Sequence, residues 1–293
     1  MKYLRYIIIF FASTLITSCD KPIKKEGIEN LKIKNSILNC DEIFFIDKKS
    51  KIKNQFYYGE KLKIKFKNFK GFKEKDGLIY PGLQLVVIDK NKDTLLFNED
   101  LYKDEIDGFD PNSLDLSPQI TLANPIKSNA KYKVHVNFWD KIGDGNFDVE
   151  TKITLVPNKE IKIKNNSYTY NEIYLYSEQR NEVILDKKVL LDENIYFIIE
   201  GLKGFTIKGD EISLGASVIV TDSNGGTIFE NKDILKDNKY TISEIEQRFS
   251  SYIIFHEKRK GPVKIRYKFK VWDKNNEENT LLLSANLLLV DEI

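Results

Sequence analysis

The residues best placed to do chemistry fall in and around two short, related stretches. Tyr132 to Lys141 reads Tyr-Lys-Val-His-Val-Asn-Phe-Trp-Asp-Lys, and Ile265 to Lys274 reads Ile-Arg-Tyr-Lys-Phe-Lys-Val-Trp-Asp-Lys. Trp139 and Trp272, the two tryptophans of the protein, stand 133 residues apart (272 − 139). Around the first, Asp140, Asp144, Asn146 and Asp148 put hard oxygen ligands at spaced positions of one loop, a pattern that suits Ca²⁺. Asp-Gly and Gly-Asn are also hairpin-turn residues, and the matching segment from Asp273 lacks the glycine, which favours a turn over a metal site. A second acidic group, Asp104, Glu105, Asp107 and Asp110, is equally open to either reading. The two histidines, His135 and His256, have no counterpart in each other's copy: His135 matches Lys268 and His256 matches Ala123. The sequence contains no Gly-x-Ser-x-Gly, His-Glu-x-x-His or Cys-x-x-Cys, so nothing pairs a nucleophile with a base or builds a His/Cys metal site. No cofactor is expected.

Each Trp ends a run that alternates apolar and polar residues, the period of a strand with one face on a core. Tyr132, Val134, Val136 and Phe138 then point inward, as do Ile265, Tyr267, Phe269 and Val271, and each Trp points outward. An outward indole can stack on a sugar ring or cover an end of the sheet. Its presence in both copies favours the structural role, because duplicates keep in common what the shared fold needs.

Residues 1–18 read as a leader: Lys2 and Arg5 precede an apolar run from Tyr6 to Leu15, which is short for a membrane span. It closes Leu15-Ile16-Thr17-Ser18-Cys19, which resembles the bacterial lipobox. That resemblance implies cleavage before Cys19, a thioether lipid on its sulfur and acylation of the new amino terminus. Buried acyl chains hold a protein at a membrane by about 0.8 kcal/mol per CH₂, so a lipid-anchored envelope protein, on the outer membrane, is expected. Cleavage removes two basic residues and no acids, leaving 44 Lys+Arg (46 − 2) against 44 Asp+Glu. A chain near neutrality has no global attraction for nucleic acid. With Cys19 lipidated, Cys40 has no intramolecular partner. Its position in the other copy is Tyr170, which marks a packing position rather than a catalytic thiol.

Residues 19–29, polar and Lys-rich, read as a tether. Beyond it the chain is duplicated. Leu31-Lys32-Ile33-Lys34-Asn35 matches Ile161-Lys162-Ile163-Lys164-Asn165, and Glu42-Ile43-Phe44-Phe45 matches Glu172-Ile173-Tyr174-Leu175. The offset grows from 130 to 133 and then to 134, and the boundary falls near Pro157. Residues 30–157 and 158–293 are therefore expected as two β-sandwich domains, the second a duplicate of the first. Short strands separated by turn residues every eight to twelve positions fit an all-β, antiparallel, immunoglobulin-like sandwich. Gly71 and Gly204 follow matching inward-facing strands, and Gly82 and Gly215 open the next ones; positive φ or a bulge explains such glycines. Asn98 to Asp104 and Ile242 to Phe249 read as short helical turns.

The repeated Lys-Gly-Phe, the later Gly and the Trp-Asp-Lys, behind a lipobox, resemble bacterial cell-envelope lipoproteins with tandem immunoglobulin-like domains. The resemblance implies a membrane-anchored, non-enzymatic binding or assembly protein whose partner is an envelope protein or a glycan. The alternatives are a carbohydrate-binding accessory lipoprotein that uses exposed aromatics, and a hydrolase, for which paired catalytic motifs are missing. Trp139, Trp272, Tyr196 and Ile198 are the candidate binding residues. The last two follow from a difference between the copies: outward Lys63 and Lys65 become Tyr196 and Ile198. Apolar side chains on an outward face call for a cover, supplied by the first domain, a loop or a partner.

Overall fold

The computed structural model describes residues 22–209, 211–236, 239–256 and 261–291. Cys19, the leader and the start of the tether lie outside the described residues. No helix among the described residues is long and apolar enough to cross a membrane.

The architecture is all-β and predominantly antiparallel, as the alternation implied. Ten strands make up the first half: β1 (Lys24–Glu26), β2 (Lys32–Ser36), β3 (Glu42–Ile46), β4 (Gln55–Tyr57), β5 (Lys61–Lys67), β6 (Pro81–Ile88), β7 (Thr94–Asn98), β8 (Gln119–Thr121), β9 (Ala130–Asp140) and β10 (Asn146–Val156). They form a small sheet, β1-β3-β5-β8, and a larger one, β2-β10-β9-β6-β7, to which β4 adds beside β10. The second half has β11 (Lys162–Asn165), β12 (Glu172–Ser177), β13 (Glu182–Val183), β14 (Lys188–Leu190), β15 (Ile195–Glu200), β16 (Glu211–Asp222), β17 (Thr227–Asn231), β18 (Lys239–Thr241), β19 (Phe249–Ile253), β20 (Val263–Asp273) and β21 (Asn276–Val290). Its sheets run β11-β21-β20-β16-β17 and β13-β12-β15-β19, with β14 beside β21 and β18 beside β16. The order β3-β5-β8 is thus repeated as β12-β15-β19, and β2-β10-β9-β6-β7 as β11-β21-β20-β16-β17.

The strands form where the pattern demands. In β5, Lys-Leu-Lys-Ile-Lys-Phe-Lys alternates faces, and Leu62, Ile64 and Phe66 are each 1% exposed. Ile195, Phe197 and Ile199 repeat this at 0% in β15. Each pair of sheets closes on its own apolar cluster, one drawn from residues 28–155 and the other from 161–289. Cys40 is buried in the first cluster, where desolvation, aided by the charge of Asp41, pushes its thiol up to about 12; its counterpart Tyr170 packs against the second. Of the two expected helical turns, one is a helix, α1 (Ile242–Gln247), started by a capping box in which Thr241 and Glu244 bond each other's backbone. The other segment, Asn98 to Asp104, begins with the last residue of β7 and continues as bend and turn, without a helix.

Candidate binding surface

The duplicated Trp-Asp-Lys is a three-part fastening, and each residue does the same job twice. The indoles point outward and lie on glycine. Gly82 faces Trp139 across β6 and β9, and Gly215 faces Trp272 across β16 and β20. A Cβ on either glycine would come within 2.0 Å of the indole Cε2. These glycines therefore serve close approach rather than positive φ, which corrects the sequence reading of Gly82 and Gly215. Gly71 and Gly204 do take positive φ, +100° and +105°. With one ring face on the glycine backbone, and the Lys270 ammonium 5.5 Å from the Trp272 ring centroid, each indole is a packing element of the sheet.

Asp140 and Asp273 turn inward, 5% and 0% exposed. The Oδ2 of Asp140 accepts from the Lys73 amide and that of Asp273 from the Thr206 amide, both at 2.6 Å. Their Oδ1 atoms accept from the amides two residues on, Ile142 at 3.1 Å and Asn275 at 2.8 Å. Lys141 and Lys274 reach Asp100 (2.8 Å) and Asp233 (2.7 Å), which in turn accept from backbone amides. Three of the four suggested calcium ligands are engaged within the protein. Asp140 is spent on amides, Asn146 accepts from Asn137, and Asp148 pairs with His135 at 2.5 Å on the outer face of the sheet. Among the described residues no three acidic, His or Cys side chains gather as a metal site.

Two buried glutamates are a further duplicated feature. Glu60 accepts from the amides of Lys49 and Tyr57, at 2.7 and 2.8 Å, and burial raises its pKa. Glu193 accepts from the Leu190 amide at 2.7 Å, from Arg180 Nε at 2.5 Å and from the Ser177 hydroxyl. These carboxylates hold loops.

The outer face of the small second sheet is where the copies part. Directly opposed residues on β12, β15 and β19 make rows. The row of Glu172 and Glu200, and Tyr174 in the next row beside Ile198, meet the first half of the chain. Tyr58 donates to Glu200 at 2.9 Å and accepts from the Asn124 amide at 3.0 Å. Its ring lies 5.4 Å from that of Tyr174, which also donates to Glu200, at 2.7 Å. Glu172 accepts from the Ser128 amide at 2.6 Å. Burial, and then the Glu200 charge, push the Tyr58 hydroxyl up, so it remains a donor. Ile198 is 1% exposed. Of the covers expected for Ile198, the first half of the chain is the one its row meets, through Tyr58 against Tyr174, so its burial reads as internal packing and not as a free binding position. Tyr196 lies one row further on. There Tyr176, Tyr196 and Tyr252 stand opposite one another across three strands, where the first copy has Ile46, Lys63 and Gln119. Tyr196 and Tyr252 touch, with ring centroids 5.3 Å apart.

Tyr252 also borders a cleft of about 690 Å³ between the outermost strands of the two second-half sheets, β17 and β19. Phe229 stands on the β17 side. Phe229 and Tyr252 are 48% and 56% exposed, among the most exposed large apolar or aromatic side chains of the second half. Periodicity alone did not single out this cleft, because it lies between strands distant in sequence. The available signal was the offset of 133, which turns Leu96 into Phe229, Gln119 into Tyr252 and Ala123 into His256.

No protein-family model matches the chain, and no curated protein matches it. Similar solved structures include a DUF3823 family protein from Bacteroides ovatus (10% identity, 74% of this chain and 92% of that one, TM-score 0.21). A calcium-binding mutant of Bacteroides uniformis beta-glucuronidase 2 is also similar (10%, 80% and 27%, TM-score 0.23). So are three N-terminal domains of the bacteriophage RB49 outer capsid protein Hoc (11%, 90% and 70%, TM-score 0.21). At these scores the likenesses carry no function over to this chain.

Proposed function

We propose that this is a non-enzymatic binding lipoprotein of the bacterial cell envelope, held to its membrane, the outer one, through Cys19 and presenting its second half to a ligand. The observation that carries the reading is the divergence of the copies. Their inward positions and fastenings are alike, whereas two exposed aromatics, Phe229 and Tyr252, border one cleft of the second copy; the first copy exposes Phe97 on its matching strand β7 but has Gln119 at the place of Tyr252. Residues retained for folding recur in both copies; residues present in one copy and exposed are free to serve a ligand. A binding rather than catalytic role is favoured because the buried carboxylates Glu60, Glu193, Asp140 and Asp273 are each engaged with backbone amides. The test is capture from detergent-solubilised envelope with the full tethered chain as bait. A captured ligand that is lost on Tyr252→Ala supports the reading, and turnover of an envelope polymer by the purified chain overturns it. The anchor has its own test: Cys19→Ser abolishes incorporation of labelled acyl chains, and labelling that persists excludes the lipoprotein assignment.

A further inference from the structure

Resting on that reading, we infer the ligand class of the cleft between β17 and β19: an uncharged saccharide. Its volume of about 690 Å³ lies within the roughly 300–1,000 Å³ usual for ligand clefts. Aromatic rings flank it from two different sheets, Phe229 on β17 and Tyr252 on β19. Between them lie hydrogen-bonding groups with no partner among the described residues: the Asn231 amide, the Ser250 hydroxyl and the Tyr252 hydroxyl. His256 commits Nδ1 to Asp192 at 2.8 Å and keeps Nε2 for a ligand.

The charge pattern narrows the choice. Asp, Glu, Lys and Arg make up 31% of the chain, yet among the described residues none lines this cleft. A charged ligand would find no counter-charge among the described lining residues. A wholly apolar chain would take several polar groups out of water without replacing their hydrogen bonds, at a cost for each. A sugar ring satisfies both halves of the lining: its C–H face lies on an aromatic ring, and its hydroxyls exchange hydrogen bonds with amide, hydroxyl and imidazole. Aromatic faces carry negative charge at their centres, which suits the polarised C–H groups of a sugar. Tyr196 is a positioning residue here, since its ring braces Tyr252 from the side away from the cleft. The first copy, with Leu96, Gln119 and Ala123 at the matching places, lacks the arrangement.

The experiment is affinity electrophoresis of the full chain in detergent through gels containing β-glucan, xylan or galactomannan, with alginate as an acidic control. At least one neutral polymer should retard the protein and alginate should not. Phe229→Ala with Tyr252→Ala should weaken retardation by roughly tenfold or more, the size of a hot-spot loss. Both side chains are about half exposed, so the melting temperature should stay near that of the parent. Asn231→Ala provides a second variant that leaves the aromatic walls in place and should also weaken retardation. The assignment is overturned if no neutral polymer retards the protein, if only alginate does, or if the variants are retarded like the parent. It is also overturned if a fluorescent fatty acid binds and the double variant abolishes that binding. If polysaccharides fail while the bait still captures an envelope protein through Tyr252, the saccharide is wrong and the binding-module reading stands; if capture fails as well, both fall.

Discussion

Gly215 and Trp272 face each other across β16 and β20, and a single added methyl would lie 2.0 Å from the indole. Gly215→Ala should therefore destabilise the protein by roughly 1–3 kcal/mol, the usual cost of overpacking. Trp272→Phe in the same chain should recover part of the loss, because the smaller ring vacates the space. A double-mutant cycle in urea measures this. Additive effects would mean that the two residues do not share the contact.

Asp273 accepts from the amides of Thr206 and Asn275 while fully buried. Asp273→Ala leaves both donors without a partner and should cost roughly 1.5–3 kcal/mol. Hydrogen exchange should quicken at those two amides in particular. Asp273→Asn keeps an acceptor oxygen for one amide and should lose less. Equal losses for Ala and Asn would place the effect elsewhere.

The neighbouring positions Tyr196 and Ile198 should respond differently to lysine. Ile198 is 1% exposed, and the nearby Glu200 is already engaged by Tyr58 and Tyr174, so Ile198→Lys takes an ammonium out of water and should cost roughly 3–5 kcal/mol. Tyr196 is partly exposed, and Tyr196→Lys should leave the melting temperature near that of the parent. Melting curves of the two single variants separate the positions, and a stable Ile198→Lys protein would refute the packing of the two halves described above.

The contact between the halves should depend on pH. Burial, opposed by the hydrogen bond from the Ser128 amide and reinforced by the Glu200 charge, raises the Glu172 pKa. A carboxyl whose folded pKa exceeds its unfolded value, about 4.3, favours the folded state most while it is protonated. Its contribution is fully present below the unfolded pKa and is lost as pH rises through the folded one. Denaturation followed from pH 4 upward should show this decline, and Glu172→Gln, which keeps an acceptor for Ser128, should flatten it. An unchanged slope in Glu172→Gln would assign the dependence to another group.

The architecture was legible in the sequence because its signals are local or repeated. Alternation in Lys61 to Lys67 is enough to choose a strand and its inward face, and the offset between Trp139 and Trp272 is enough to show the duplication. The same alternation correctly turned both indoles outward. What an outward side chain meets is not a local property. Gly82 gave no sign that it would lie beneath Trp139, since the two meet only when β6 pairs with β9. Ile198 reads as an outward residue in need of a cover, and only the fold shows which: its row meets Tyr58 of the other half of the chain through Tyr174. Phe229 and Tyr252 are 23 residues apart (252 − 229) and sit in different sheets, so neither periodicity nor a motif links them. Sequence determined the strands, their inner faces and the repeat, because period-2 burial acts within each strand. Tertiary structure decided which outer faces are covered and where a cleft opens, because those depend on how separate sheets approach one another.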